Sequence, residues 1–275
     1  MSTLTGMGIG WRPEISGWVA SLPQLGFCEL IAESISPAGL PRGVAGLRER
    51  GIPVIPHGVR LSLGSAETVE AGRVAHIAAC AEALAAPLVS EHISFTRVAG
   101  RDAGHLLPVP RTREALDVLT RNIRRTQSEL DVPLALEPIA ALFDWPDDEY
   151  SEPDFLHELL ERTGAMLLLD VANVHANALN RGQDAHDVLD RFPLDRVAYV
   201  HVAGGAEHDG LYHDTHTAPV PREVLHLVEH LVERTAGPPP MMLERDGRYP
   251  PAAELEAELA AIAGSAGHLA PAGTP

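Results

Sequence analysis

A chain of 275 residues with 45% hydrophobic and 21% charged residues suits one large globular domain, at a size where α/β barrels are common. The formal net charge of −17 excludes an electrostatic fit to nucleic acid, because phosphate binding needs clustered cations and no basic stripe occurs. All 21 basic residues are arginine, which excludes Schiff-base chemistry and lysine general bases. Short β-type runs then alternate with amphipathic stretches. The first strand is expected over Met7 to Trp11, with a helix beginning near Pro13. Strand two covers Phe27 to Ala32, followed by a helix around Leu40 to Arg50. Strand three is Pro53 to His57, before a long helix from Glu67 to Leu84. Strand four is Leu88 to His92, with a helix from Thr112 to Glu129. Strand five, Pro133 to Glu137, leads to a helix over Pro153 to Arg162. Strand six is Met166 to Val171, with a short helix near Ala185 to Arg191. Strand seven, Val197 to Val202, precedes a helix over Arg222 to Arg234, and strand eight, Met241 to Glu244, precedes one over Ala252 to Ala263.

Eight strand–helix pairs in order predict a single (β/α)₈ TIM barrel over residues 1–263, with 264–275 as a flexible C-terminal tail. The long stretches after strands four, five and seven are then insertions on the face where barrels place chemistry. No run of about 18 apolar residues is present to span a membrane, and the first residues show no basic segment leading into an apolar one, so a cytoplasmic location is expected. Cys28 and Cys80 sit in separate apolar segments and are expected to be reduced core thiols.

The chemistry lies at the strand ends. Strands three to six finish in His57, His92, Glu137 and Asp170, strand seven carries His201 and strand eight ends in Glu244. Strand interiors are otherwise aliphatic, and so many imidazoles and carboxylates packed at one mouth need compensating cations. Asn173, three residues past Asp170, and the pair Asp214 and His216, on one side of an extended segment, complete a candidate set of nine metal ligands. Four carboxylates neutralise two divalent cations, and nitrogen and oxygen donors without thiolate suit Fe, Mn or Zn.

The order of these residues resembles the metal-dependent barrels typified by endonuclease IV and the xylose-isomerase-like enzymes. More narrowly, GIGWRPE (8–14), HGVRLSLGS (57–65), SEHISF (90–95), LLPVP (106–110), LLLDVANVHANALN (167–180), VHVAGG (200–205), DTH (214–216) and LERDGRYP (243–250) resemble the multinuclear non-haem iron oxidase family that includes the methanobactin-forming iron subunit. The resemblance spans about residues 7 to 260. It implies two or three iron ions in mixed Fe(II)/Fe(III) states, O2 as co-substrate, and oxidation of a cysteine in a ribosomally made precursor peptide. A small partner protein that presents the peptide is implied too, with no nucleic-acid or membrane partner. The chain departs from the family's usual neighbours at Glu91, Pro138, Ala172 and Arg245, while the ligand types are kept. His175 is open between a packing residue and an extra ligand.

Asp246 matches the family's acidic residue for proton transfer and is the expected catalytic group. Arg12 and Arg60 are candidates to bind a substrate carboxylate through paired hydrogen bonds; they can equally pair with the metal-site carboxylates. His105 and His208 read as polar loop residues. Two other functions remain open: a Zn- or Mn-dependent barrel acting as a hydrolase or sugar isomerase/epimerase, and a non-catalytic metal-binding subunit.

Overall fold

The computed structural model describes residues 4–271. The chain opens with β1 (Met7–Gly10) and α1 (Ser16–Ser21), then β2 (Phe27–Ile31), α2 (Arg42–Glu49), β3 (Val54–Gly58) and α3 (Ala71–Leu84). Next come β4 (Val89–His92), the hairpin β5 (Ser94–Val98) and β6 (Arg101–Pro108), and α4 (Arg113–Gln127). β7 (Leu134–Glu137), α5 (Glu152–Thr163) and β8 (Met166–Asp170) follow, then α6 (Val171–Arg181) and α7 (Ala185–Leu189). The chain continues with β9 (Val197–Val202), the hairpin β10 (Ala206–His208) and β11 (Leu211–His213), α8 (Arg222–Arg234), β12 (Met241–Leu243) and α9 (Ala252–Ala266).

Eight strands, in the order β1-β12-β9-β8-β7-β4-β3-β2, close into a parallel barrel. All eight are those expected from the sequence. Because side chains alternate along a strand, the inward positions are read off two at a time: Ile55 then His57, Ala135 then Glu137, Leu168 then Asp170, Tyr199 then His201, Met242 then Glu244. Phe27, Ile55, Leu88, Ala135, Leu168, Tyr199 and Met242 fill the barrel interior as a plug beneath the mouth. Gly8 makes room for it, since a Cβ there would sit 2.7 Å from the Phe27 ring. The larger cluster of Leu, Ile and Val side chains lies between the sheet and the helices. Parallel registration sets polar residues side by side above the plug, with His92 opposite Glu137 and Asp170 opposite His201.

Three features differ from the expectation. Helix α6 starts directly after Asp170, where the sequence pattern predicts only the later α7. Its sequence mixes strong helix formers, Ala, Leu and Arg, with Asn, Val and His; it is started by the Asp170 carboxylate, which accepts hydrogen bonds from Ala172 N (2.6 Å) and Asn173 N (3.0 Å). The insertions after β4 and β9 form two hairpins whose turns, Ala99-Gly100 and Asp209-Gly210, take positive φ at both central residues, as tight antiparallel connections require. Finally, α9 runs to Ala266 and Ala270 packs on the core, so the segment expected as a tail is in part structured; its residues 272–275 lie outside the described ones. Among the described residues, Cys28 and Cys80 are free and buried, and no helix is long and apolar enough to cross a membrane.

Candidate metal centre

The six strand-end residues, Asn173 in the first turn of α6 and the loop residues Asp214 and His216 converge on one mouth. Glu137 sits at its middle: Oε2 lies 3.6 Å from His57 Nε2 and 3.4 Å from His92 Nε2, and Oε1 lies 3.6 Å from His201 Nδ1. Glu244 Oε2 is 2.8 Å from His201 Nδ1 and 3.5 Å from His216 Nδ1. His216 Nε2 is 2.5 Å from Asp214 Oδ2 and 3.8 Å from Asp170 Oδ2. Asn173 joins them by donating from Nδ2 to Glu137 Oε1 (3.3 Å) and to the Pro138 carbonyl (3.2 Å).

Three histidines are held from behind, which decides the nitrogen each turns to the mouth. His57 Nδ1 meets Ser90 Oγ at 2.9 Å, His92 Nδ1 donates to the Gly58 carbonyl at 3.2 Å, and His201 Nε2 meets Glu29 Oε2 at 2.8 Å. Such outer hydrogen bonds set the tautomer and ring orientation of metal-binding histidines. The inward atoms are poorly satisfied by protein alone. Glu137 Oε2, Asp170 Oδ2, Asn173 Oδ1, His201 Nδ1, Asp214 Oδ1 and His216 Nε2 are buried without an aligned hydrogen bond, a costly condition in an interior.

Electrostatics point the same way. Burial, and next the Asp214 charge, hold the Asp170 carboxyl well above the usual carboxylate range. Burial would also raise Glu137, yet His92 and then His201 outweigh it and bring it down to about 2. Burial would lower His92, but Glu137 and then Glu91 push it up to about 9. A divalent cation relieves the burial and repulsion on Asp170 and gives the unpartnered atoms a common partner. Donor atoms within 4.8 Å of one another fall into linked sets: His57, His92 and Glu137; Glu137, Asp170 and His201; Asp170, His216 and Glu244; and Glu29, which the sequence reading did not single out, with His201 and Glu244. The residues fit a metal site.

Asp246 lies on the rim. Its Oδ1 accepts from Arg12 Nε at 2.7 Å, and its Oδ2 stands 3.6 Å from His216 Nδ1, with the side chain 41% exposed. Arg12 is buried, and its Nη2 also reaches Glu244 Oε1 at 3.3 Å. The guanidinium is therefore occupied by two carboxylates of the site instead of presenting a free fork to substrate. Arg60 is exposed and lines a separate depression with Arg73 and Arg97, away from the mouth. His175 packs edge-on against Tyr212, 5.1 Å between centroids, outside the donor sets. His208 is exposed beside Asp209, but His105, expected to be a plain loop residue, lines the cavity above the donors. That cavity has a volume of about 670 Å³ and is two-faced. Leu106, Leu107, Ile139, Leu142 and Phe143 form an apolar wall, facing the metal-site donors, Thr215 and Asp246.

Two predictions arise here. Arg12→Ala leaves Glu244 and Asp246 without their shared cation, so the metal-free protein is expected to lose about 3–5 kcal/mol in urea unfolding; an unchanged midpoint would show that Arg12 does not neutralise them. Asn173→Asp is expected to retain metal and lower the reduction potential of the loaded centre, through one added negative charge beside Glu137. Equal potentials in voltammetry would leave Asn173 as a hydrogen-bond donor only.

The closed parallel barrel has the fold seen in xylose-isomerase-like and endonuclease IV structures. It superposes on a xylose isomerase domain protein from Planctomyces limnophilus with a TM-score of 0.61 at 14% identity, covering 96% of this chain and 97% of that one. Endonuclease IV from Thermus thermophilus gives 0.57 at 17% identity over 95% and 98% of the two chains. At such identities the likeness shows the fold alone. The chain belongs to the RiPP precursor modification enzyme MbnB/TglH/ChrH family, which it matches over residues 6–266. It is 52% identical over 264 residues to a UPF0276 protein of Streptomyces avermitilis, covering 94% of this chain and 54% of the relative, so it spans about half that relative's length. A UPF0276 protein of Chromobacterium violaceum is 36% identical over 262 residues, covering 94% of this chain and 95% of the relative.

Proposed function

We propose that the protein is an iron- and O2-dependent oxidase that modifies cysteine residues of a ribosomally synthesised precursor peptide. The observation that carries the reading is the convergence of buried, unpartnered nitrogen and oxygen donors beneath a cavity with one apolar wall, in a chain of a precursor-modifying family. The nine donors would hold two or three iron ions in mixed Fe(II)/Fe(III) states, and iron is favoured over Mn and Zn by the family resemblance. Bound iron would supply a Lewis acid for the substrate thiolate and a redox relay through which electrons taken from the cysteine pass to dioxygen.

The chain's own residues do the rest. The wall of Leu106, Leu107, Ile139, Leu142 and Phe143 takes the apolar part of the peptide and excludes water around the cysteine. Asp246, exposed to the cavity and fixed by Arg12, accepts or returns the proton at its Oδ2. A small partner protein that presents the peptide completes the system, and the reaction takes place in the cytoplasm.

The test is anaerobic purification with iron loading, metal analysis, and exposure to air with the Cys-containing peptide encoded beside the gene. A mass change that maps to the cysteine and disappears in a Cys→Ser peptide is the expected result. Stoichiometric zinc with no gain on iron reconstitution would overturn the reading.

A further inference from the structure

Below the donor layer lies a buried carboxylate that the ligand set leaves out. Glu29, the inward residue of β2 one step above Phe27, is fully buried, and its Oε1 has no hydrogen-bond partner. Its Oε2 takes the Tyr199 hydroxyl at 2.5 Å as well as His201 Nε2 at 2.8 Å. The Tyr199 hydroxyl also meets Ser90 Oγ at 2.7 Å, and Ser90 Oγ meets His57 Nδ1 at 2.9 Å.

Proton counting gives this chain a direction. A carboxylate only accepts, so Tyr199 spends its single proton on Glu29. Ser90 must then donate to the Tyr199 oxygen, and its remaining lone pair accepts from His57 Nδ1–H. On the other side, His201 donates Nε2–H to the same Glu29 oxygen. Every proton in the network points toward one residue. The consequence is that His57 Nε2 and His201 Nδ1, both facing Glu137, carry their lone pairs into the mouth.

We propose that Glu29 is the positioning residue of the metal centre: through His201 directly and through Tyr199, Ser90 and His57 indirectly, it sets the tautomers of two histidine ligands and strengthens their donation to metal. This rests on the metal-centre reading above. Glu29 lies near the donors of His201 and Glu244 but lines no part of the cavity, and its Oε2 is already taken by Tyr199 and His201, so it acts through these neighbours. A negative charge behind an imidazole makes it a better donor to the oxidised metal, and the interior placement keeps that charge unscreened.

The experiment compares wild type, Glu29→Gln, Tyr199→Phe and Ser90→Ala, each loaded anaerobically with ⁵⁷Fe or with Co(II). Glu29→Gln is expected to bind either metal about 10–100-fold more weakly in chelator competition, the range seen when such partners are removed. Its iron should have a higher reduction potential than wild type, and Mössbauer spectra should shift for more than one iron environment. Tyr199→Phe and Ser90→Ala cut only the arm to His57, so they should change one environment and leave the other at its wild-type parameters. These two variants keep the test open should Glu29→Gln fail to fold. Wild-type affinity and potential in Glu29→Gln, or identical spectra across the set, would overturn the proposal. A protein that prefers Co(II) or leaves the peptide cysteine intact would overturn the iron oxidase reading while the Co(II) affinities still judge Glu29.

Discussion

Glu137→Ala is expected to strip the protein of most of its metal and to abolish peptide oxidation. Three of the histidines meet at this one carboxylate. Its two oxygens face His57, His92 and His201 at 3.4–3.6 Å, and Asn173 donates to it as well. Since Glu137 belongs to two of the donor sets, its loss removes one ligand from each and the negative charge that both rely on. The drop in metal affinity should exceed the ~10–100-fold typical of removing a supporting neighbour. Metal analysis after gel filtration and mass spectrometry of the peptide read the two effects together. Full metal content in Glu137→Ala would mean that Glu137 does not hold metal, and its place at the middle of the ligand set would fall; a wild-type protein that retains no metal after loading would leave the donors as a hydrogen-bonded polar cluster.

Asp246→Asn is expected to do the opposite: metal and peptide binding persist, and turnover slows by about 10²–10⁴-fold, the usual contribution of a general acid–base group. Asp246 stands outside the donor sets, open to the cavity, and its neighbour Arg12 can still donate to an amide oxygen at the same place. Burial opposes its ionisation, but the nearby His216 imidazole, 3.6 Å away, prevails, with the Arg12 charge in support, and holds it below the ordinary aspartate range, so that it stands ionised. Glu244→Gln is the contrast, because Glu244 lies 2.8 Å from His201 Nδ1 and its loss should release metal along with activity. Normal turnover in Asp246→Asn, or loss of metal like that of the Glu244 variant, would refute the proton-transfer role.

The eight strands and the inward strand-end donors were legible because buried parallel strands are almost wholly aliphatic. In MLLLD or LALE a terminal carboxylate stands out against its neighbours, and the period of two fixes the side it faces. Glu29 escaped because it lies within a strand, one layer below the mouth; its inward parity with Phe27 was the available signal. Helix α6 was missed although its start signal was local: Asp170, a favoured N-cap residue, stands directly before it, but was read only as the end of its strand. The reading of Arg12 depended on partners 232 and 234 residues away, which no local pattern reveals. Arg60 follows His57 closely in sequence, but the chain turns outward after β3, so proximity along the chain did not become proximity to the site.

The β5–β6 hairpin has a consequence for how such a molecule can diversify. It supplies His105, Leu106 and Leu107 to the cavity wall but none of the nine donors, which hang from the barrel strands and from other loops. Its turn is self-contained, and its outer half, Arg101 to His105, is exposed. Insertions, deletions or replacements there would reshape what enters the cavity without disturbing how the centre is assembled. The molecule is thus divided between barrel strands that bring the polar cluster together and a hairpin that forms one part of the cavity wall above it, so the wall can change in shape while the cluster stays as it is.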